Sequence, residues 1–146
     1  MKLLSEILLK ENYYKITFKI SASKHLFVKG KINGIDGTFI LDTGASNSCV
    51  GLEQINKFQL KAKASKTKAA GAGAVGMETQ LAKKNELKLG KWKTKTLTLV
   101  IFDLTHVNHA LTENGMQAVD GIIGADVLMK GKAIIDYYHH KVYLKR

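Results

Sequence analysis

The sequence predicts an all-β fold with one short helix near its C-terminal end. Strand-like runs rich in β-branched and aromatic residues recur along the chain, and such residues favour strands. Glycines mark most of the breaks between the runs, since the chain has 13 glycines and no proline. Of its 146 residues 45% are hydrophobic, which is enough for one core without disulfides or metal. We therefore expect residues 1–146 to form a single domain.

The first strand-like runs surround a hairpin signal. Asn33-Gly34 lies between two of them, and this dipeptide favours a two-residue hairpin turn. The run after the turn is apolar and leads directly to Asp42. These runs span residues 13–20, 26–32 and 38–41.

The middle of the chain predicts a helix, a long hairpin and a strand. Residues 52–58 have apolar side chains at helical spacing. Residues 61–76 are small, basic and glycine-rich, and residues 77–89 form the return strand of a hairpin with its tip among the glycines. Residues 94–107 contain the best strand in the chain, and we expect residues 109–118 to form an exposed loop.

The C-terminal part predicts a short helix followed by a hairpin. Ile122-Ile123-Gly124 leads into a helix at residues 125–129. Residues 133–138 pair with residues 141–144 across a turn at His139-His140.

The formal charge of +11 raises the question of a nucleic-acid partner. The densest cluster of lysines is interleaved with Ala, Ser and Thr rather than with the aromatic residues on which single-stranded bases stack. A solvated basic strand or loop explains this pattern, so we expect no nucleic-acid partner. A basic nucleic-acid-binding β-domain stays as an alternative. The cluster consists of Lys61, Lys63, Lys66 and Lys68.

No cofactor, metal or membrane partner is expected from the sequence. Cys49 is the single cysteine, and no Cys/His cluster has the spacing of a zinc site, so the histidines are interpreted as surface or turn residues. Glu6 interrupts the N-terminal apolar stretch, and no segment approaches the length of a membrane span. We expect a soluble, cytoplasmic protein in which Cys49 is a small buried residue.

Asp42 stands out because a carboxylate follows an apolar strand, where an unpaired buried charge is costly. One interpretation is structural: Asp42 caps a turn and accepts hydrogen bonds from the Gly44 and Ala45 amides. The flanking residues favour a second interpretation, since Phe39-Ile40-Leu41 precedes Asp42-Thr43-Gly44 and Ala45-Ser46 follows it. An Ile122-Ile123-Gly124 segment then occurs before the C-terminal helix.

These paired motifs resemble the retroviral-like (retropepsin-type) aspartic peptidases over residues 13–144. The resemblance implies a closed β-barrel of the acid-protease fold, equivalent to half of a bilobal pepsin-like enzyme. It also implies that Asp42, Thr43 and Gly44 are catalytic in hydrolysis of a protein or peptide substrate. Only one Asp-Thr-Gly triplet is present, so the second catalytic aspartate must come from another copy of the chain in a C2 homodimer.

By the same resemblance, a mobile flap and further substrate-binding residues can be assigned. The family places its flap at the glycine-rich stretch between the two motifs, and Ala45 after the triplet implies a weakly acidic pH optimum. No arginine follows Gly124, so the N-terminal region and the tail from Tyr143 are expected to supply dimer contacts. A catalytically inactive peptide-binding or dimerisation module with the same fold is the alternative. The substrate-binding residues implied are Ala45, Ser46, Gly71, Ala72, Gly73, Ala74, Ile122, Ile123 and Gly124.

Overall fold

The computed structural model describes residues 2–69 and 77–146, which contain eleven strands and three α-helices. A single 3-10 turn, Leu52–Gln54, stands where the sequence predicts a helix at residues 52–58. The helices are α1 (Lys2–Lys10), α2 (Thr105–Glu113) and α3 (Ala125–Lys130). The strands are β1 (Tyr13–Thr17), β2 (Lys19–Ile20), β3 (Leu26–Ile32), β4 (Ile35–Leu41), β5 (Cys49–Gly51), β6 (Ala62–Ala69), β7 (Met77–Leu89), β8 (Trp92–Phe102), β9 (Gly121–Ile123), β10 (Ile134–Asp136) and β11 (Lys141–Lys145).

Six of the strands close into a barrel. The larger sheet has the order β2-β3-β4-β9-β5-β8-β7-β6, and β3 also pairs with β7 through Lys31↔Lys88 and Ile32↔Leu87. That extra pairing joins the two sides of the sheet, so β3, β4, β9, β5, β8 and β7 form a closed ring. Apolar side chains without solvent exposure, such as Phe39 and Leu99, fill its interior. The predicted all-β class and closed barrel are confirmed.

A three-stranded sheet, in the order β1-β11-β10, joins the two ends of the chain. β11 is its central strand, with β1 on one side and β10 on the other. Tyr143 and the tail after it are therefore paired within their own chain, and a partner cannot pair with β11 as a neighbouring strand. The edge strands of this sheet are β1 and β10, each of which pairs only with β11 among the described strands.

The predicted hairpin turn at Asn33-Gly34 is confirmed. Both residues have a positive φ, of 52° and 82°, as a two-residue turn of type I′ requires. The Asn33 side-chain amide donates hydrogen bonds to the Phe58 carbonyl at 2.9 Å and to Asn85 Oδ1 at 3.0 Å. The turn is thereby fixed to the segment after the 3-10 turn and to β7.

Two of the three helices were not predicted. α2 occupies residues for which we expected an exposed loop, and its Leu111 is buried beside Leu104. Asp103 stabilises the start of α2, because its Oδ1 accepts the Thr105 backbone N–H at 2.8 Å. The third helix, α3, agrees with the predicted helix at residues 125–129. None of the described helices is long and apolar enough to cross a membrane.

Gly121 is placed where strand β9 passes between β4 and β5 with no room for a side chain. A Cβ at this position would overlap the Cys49 carbonyl oxygen and would lie 3.1 Å from the Val50 side chain. We expect Gly121→Ala to lower the free energy of unfolding by about 3 kcal/mol, because buried backbone must move. Gly51→Ala is the matched control, since its Cβ would meet no atom closer than 3.5 Å. Equal urea midpoints for the two variants would contradict this account of β9.

Candidate active site

Asp42 lies at the end of β4, where two parallel strands hold the backbone. β4 pairs with β9 through Phe39↔Gly121 and Leu41↔Ile123. The Asp42 N–H continues this pairing and donates to the Ile123 carbonyl at 2.9 Å. The apolar strand thus leads to a half-buried carboxylate at the mouth of the barrel.

The loop after Asp42 turns sharply and leaves part of the carboxylate open. Gly44 N–H donates to Asp42 Oδ1 at 2.8 Å, whereas Ala45 N–H donates to the Asp42 main-chain oxygen at 3.2 Å. The predicted turn cap is therefore present through Gly44 but not through Ala45. No residue in the described ranges donates to Oδ2 of Asp42. Thr43, Gly44 and Ser46 are exposed beside it.

A second carboxylate, that of Asp126, fixes the far end of this loop. Ser48 N–H lies 3.0 Å from both Asp126 oxygens, and the Ser48 hydroxyl donates to Oδ1 at 2.7 Å. The same hydroxyl accepts the Gly124 N–H at 2.9 Å. Ser48 has no solvent exposure, so these bonds satisfy groups that water cannot reach. The sequence predicted a role for neither Ser48 nor Asp126. The signal that could have identified Asp126 is its charge within the otherwise apolar residues 122–128.

At Gly124 and Ala125, the backbone at the start of α3 contacts the backbone of the loop after Asp42. Ala125 N–H donates to the Ala45 carbonyl at 2.7 Å. A Cβ on Gly124 would lie 2.6 Å from that same carbonyl oxygen, which explains the glycine. The two predicted motifs, 42–46 and 122–124, are therefore brought into direct contact.

Comparisons with known proteins agree with this geometry. A family model described as aspartyl protease matches residues 28–127, which contain both motifs. The chain belongs to the aspartyl protease family. No curated protein matches the sequence.

Two solved structures are similar to this chain and show that it also has the expected fold. A retropepsin-like aspartic protease from Rickettsia conorii is 18% identical, with a TM-score of 0.64 over 90% of this chain and 91% of the other. The retroviral protease-like domain of Ddi1 from Leishmania major is 20% identical, with a TM-score of 0.57 over 82% of this chain and 87% of the other. The predicted retropepsin-like fold is confirmed.

The two isoleucines predicted to bind substrate face opposite sides of β9 in this aspartyl protease fold. Ile123 is 1% exposed and belongs to the barrel core. Ile122 is 4% exposed and belongs to a second apolar cluster, in which Ile40 and Cys49 pack beneath Leu111 of α2. Helix α2 therefore covers one side of the Asp42 loop, although the sequence predicted only an exposed loop for these residues.

The residues of the predicted flap lie in the chain between β6 and β7. The two strands pair from Ala62↔Ala82 to Ala69↔Met77, which confirms the predicted hairpin. Gly71, Ala72, Gly73 and Ala74 lie outside the described residues. Their assignment to substrate binding stays a prediction.

Cys49 is unsuited to nucleophilic chemistry despite its position close to the loop. Burial raises the pKa of its thiol to about 12, and the negative charges of Asp126 and Asp42 act in the same direction. The thiol is therefore neutral and packs as a small apolar residue, as predicted. In the described part of the chain, no three His, Cys, Asp or Glu side chains cluster closely enough to hold a metal ion.

Proposed function

We propose that this protein is a homodimeric aspartic endopeptidase whose two Asp42 carboxylates, one from each subunit, activate water for hydrolysis of a peptide bond. The observation that carries the proposal is the loop geometry. Asp42 is half-buried, one of its oxygens accepts from Gly44, and the other accepts from no residue in the ranges 2–69 and 77–146, in a chain with a single Asp-Thr-Gly triplet. One copy of the chain supplies half of the required pair.

The chemistry follows from two carboxylates at close distance, a pairing that is well known for aspartic proteases. Two like charges a few ångströms apart cannot both ionise easily, so the pair shares one proton. The ionised Asp42 removes a proton from the attacking water, and the protonated Asp42 donates to the substrate carbonyl oxygen. Water attacks the carbonyl carbon directly, and no covalent enzyme intermediate forms.

The electrostatic surroundings of Asp42 support this role. None of the described lysine, arginine or histidine side chains forms an ion pair with it. A fixed cation would hold Asp42 in its ionised form and would oppose proton sharing. Gly44 also fits the proposal, because a Cβ there would lie 3.2 Å from Oδ1 and would crowd the reacting water.

The surface next to Thr43 is suited to receive the second copy. Thr43 lines a shallow groove of about 360 Å³ whose other walls come from α3 and from the segment that leads from α3 into β10. Met129 lies on this groove and is 78% exposed, which is unusual for a large apolar side chain. Because the two Asp42 residues must meet on the two-fold axis, surface contiguous with Thr43 must lie at or beside the interface. The groove is lined by Thr43, Ala125, Leu128, Met129, Lys132, Ala133 and Ile135.

We expect Met129→Lys to weaken the dimer. Burial of each methionine contributes about 2 kcal/mol, and the residue occurs twice per dimer, so the dissociation constant should rise roughly 10²-fold or more. Sedimentation over a concentration series measures this constant. Leu52→Lys is the control, because Leu52 is also an exposed apolar residue, at 40%, but lies outside the groove. An unchanged constant for Met129→Lys would place the interface elsewhere without removing the dimer itself.

The proposed activity is tested by incubating the wild-type protein with an unbiased peptide mixture between about pH 4 and 7 and identifying new termini by mass spectrometry. We expect internal cleavage that is best at weakly acidic pH, with specific activity rising with protein concentration as dimers form. A folded dimer that cleaves no peptide would favour the inactive peptide-binding module instead. Binding of uncleaved peptides would then be the property to measure.

A further inference from the structure

A second groove lies at the opposite end of β4 from Asp42. It has a volume of about 490 Å³, within the range of ligand-binding pockets, and its charged side chains are four lysines and two aspartates. No aromatic residue lines it. The lining residues are Lys29, Gly30, Lys31, Asp36, Gly37, Thr38, Lys57, Lys88, Gly90 and Asp120.

The two carboxylates in this groove are already engaged. Asp120 Oδ1 accepts a hydrogen bond from Lys57 at 2.9 Å, and its Oδ2 accepts the Thr38 N–H at 2.9 Å. Asp36 lies 3.9 Å from Lys31 in a looser ion pair. Lys29 and Lys88 form no ion pair with any residue in the described ranges, so the groove has uncompensated positive charge.

Two lysines of the groove are paired with each other across strands, and one of them also pairs with a lysine outside the lining. Lys31 on β3 pairs directly with Lys88 on β7, and Lys88 pairs directly with Lys93 on β8. Directly paired residues point to the same face, and all three side chains are exposed. Like charges at such positions destabilise a sheet. A bound anion would remove that repulsion.

We propose that this groove binds an acidic segment of the polypeptide substrate, an assignment of substrate class that rests on the proposed function. Lys29 and Lys31 are two residues apart on one strand, about 6.6 Å, which is also the spacing of alternate side chains in an extended peptide. An acidic-any-acidic pattern therefore matches them. Nucleic acid fits less well, because Asp36 and Asp120 would repel a continuous phosphate backbone and no aromatic platform is present.

The position of the groove sets the distance between the acidic segment and the bond that is cleaved. Thr38 lies on β4 and lines the groove, and Asp42, directly after the end of β4, is four residues further along the chain, about 13 Å away. An extended peptide spans about 3.5 Å per residue. The acidic residues should therefore lie at least about four residues from the cleaved bond.

Binding is tested with the wild-type protein and a fluorescent peptide of alternating Asp and Ser. Anisotropy is compared with that of the same peptide carrying Asn in place of Asp. We expect the acidic peptide to bind more tightly, and we expect Lys29→Glu combined with Lys88→Glu to weaken its binding about tenfold. The matched control is Lys15→Glu combined with Lys19→Glu, which makes the same change of charge at exposed residues outside the groove.

The outcomes separate this inference from the proposed protease activity, because binding needs no catalysis. If the Lys15/Lys19 control weakens peptide binding equally, the net charge of the protein attracts the peptide and the inference is overturned. Absence of binding to the wild-type protein would also overturn it. Tighter binding of a single-stranded oligonucleotide, lost in the Lys29/Lys88 variant, would assign the groove to nucleic acid instead. Cleavage of a neutral peptide reports on Asp42 in each case. If the groove acts on substrates, adding the acidic segment should raise kcat/KM for wild type but not for the Lys29/Lys88 variant.

Discussion

Replacing Asp42 with asparagine is expected to lower peptide cleavage by about 10³-fold or more and to leave the fold intact. An amide can neither remove a proton from water nor share one with the opposite carboxylate. The fold should survive, because the introduced side chain keeps an oxygen in the position that accepts the Gly44 N–H, and Asp42 forms no ion pair with the described residues. Cleavage rates are compared at matched dimer concentration between about pH 4 and 7.

Mixing the two proteins makes the same substitution a test of the dimeric mechanism. If wild-type and Asp42→Asn chains exchange freely in equal amounts, about a quarter of the dimers contain two Asp42 residues. Activity per wild-type chain should then fall to about half. A monomeric enzyme would keep its full activity per wild-type chain. Unchanged cleavage by the pure Asp42→Asn protein would mean that another group activates the water.

Local patterns predicted much of the fold and the centre of the candidate site. The Asn33-Gly34 turn is specified by two residues that tolerate positive φ, and the hairpin follows from it. The strand leading to Asp42 is likewise specified by adjacent apolar residues. These features depend on neighbours in sequence, so a single chain is sufficient to recognise them.

Features that depend on distant residues could not be predicted in the same way. Ser48 and Asp126 are 78 residues apart, and nothing near Ser48 shows that its amide needs a carboxylate. The pairing of β1 with β11 joins the two ends of the chain. Helix α2 was missed for another reason: its Thr, Asn and His residues are weak helix formers, and packing of Leu111 in the second apolar cluster stabilises it.

The barrel and the loop are coupled through β9. This strand lies between β4 and β5, and Asp42 and Ser48 occupy the two ends of the connection between those strands. Ile123 accepts the Asp42 N–H, and α3, which begins directly after Gly124, supplies Asp126 to Ser48. Both ends of the loop are therefore fixed to one continuous segment. Loss of the hydrogen bonds at the Asp126 end is thus expected to displace Asp42.

That coupling makes Asp126→Ala the second substitution with a large expected effect. The change leaves the Ser48 amide without its carboxylate partner inside the protein, which should lower the free energy of unfolding by about 2 to 3 kcal/mol. Displacement of the loop by even about 1 Å should lower kcat roughly 10²-fold with a smaller change in KM. Urea unfolding and steady-state kinetics measure the two effects.

Two further variants distinguish positioning of the loop from general destabilisation. Asp126→Asn keeps an oxygen that can accept from Ser48 and should recover most of the lost kcat. Asp103→Ala removes a carboxylate from the start of α2, where Oδ1 accepts the Thr105 N–H at 2.8 Å, and should lower stability by about 1 kcal/mol while kcat stays near that of wild type. The alternative result is that the loss of kcat is proportional to the loss of unfolding free energy in the Asp126 and Asp103 variants alike. In that case Asp126 would support the fold without positioning Asp42.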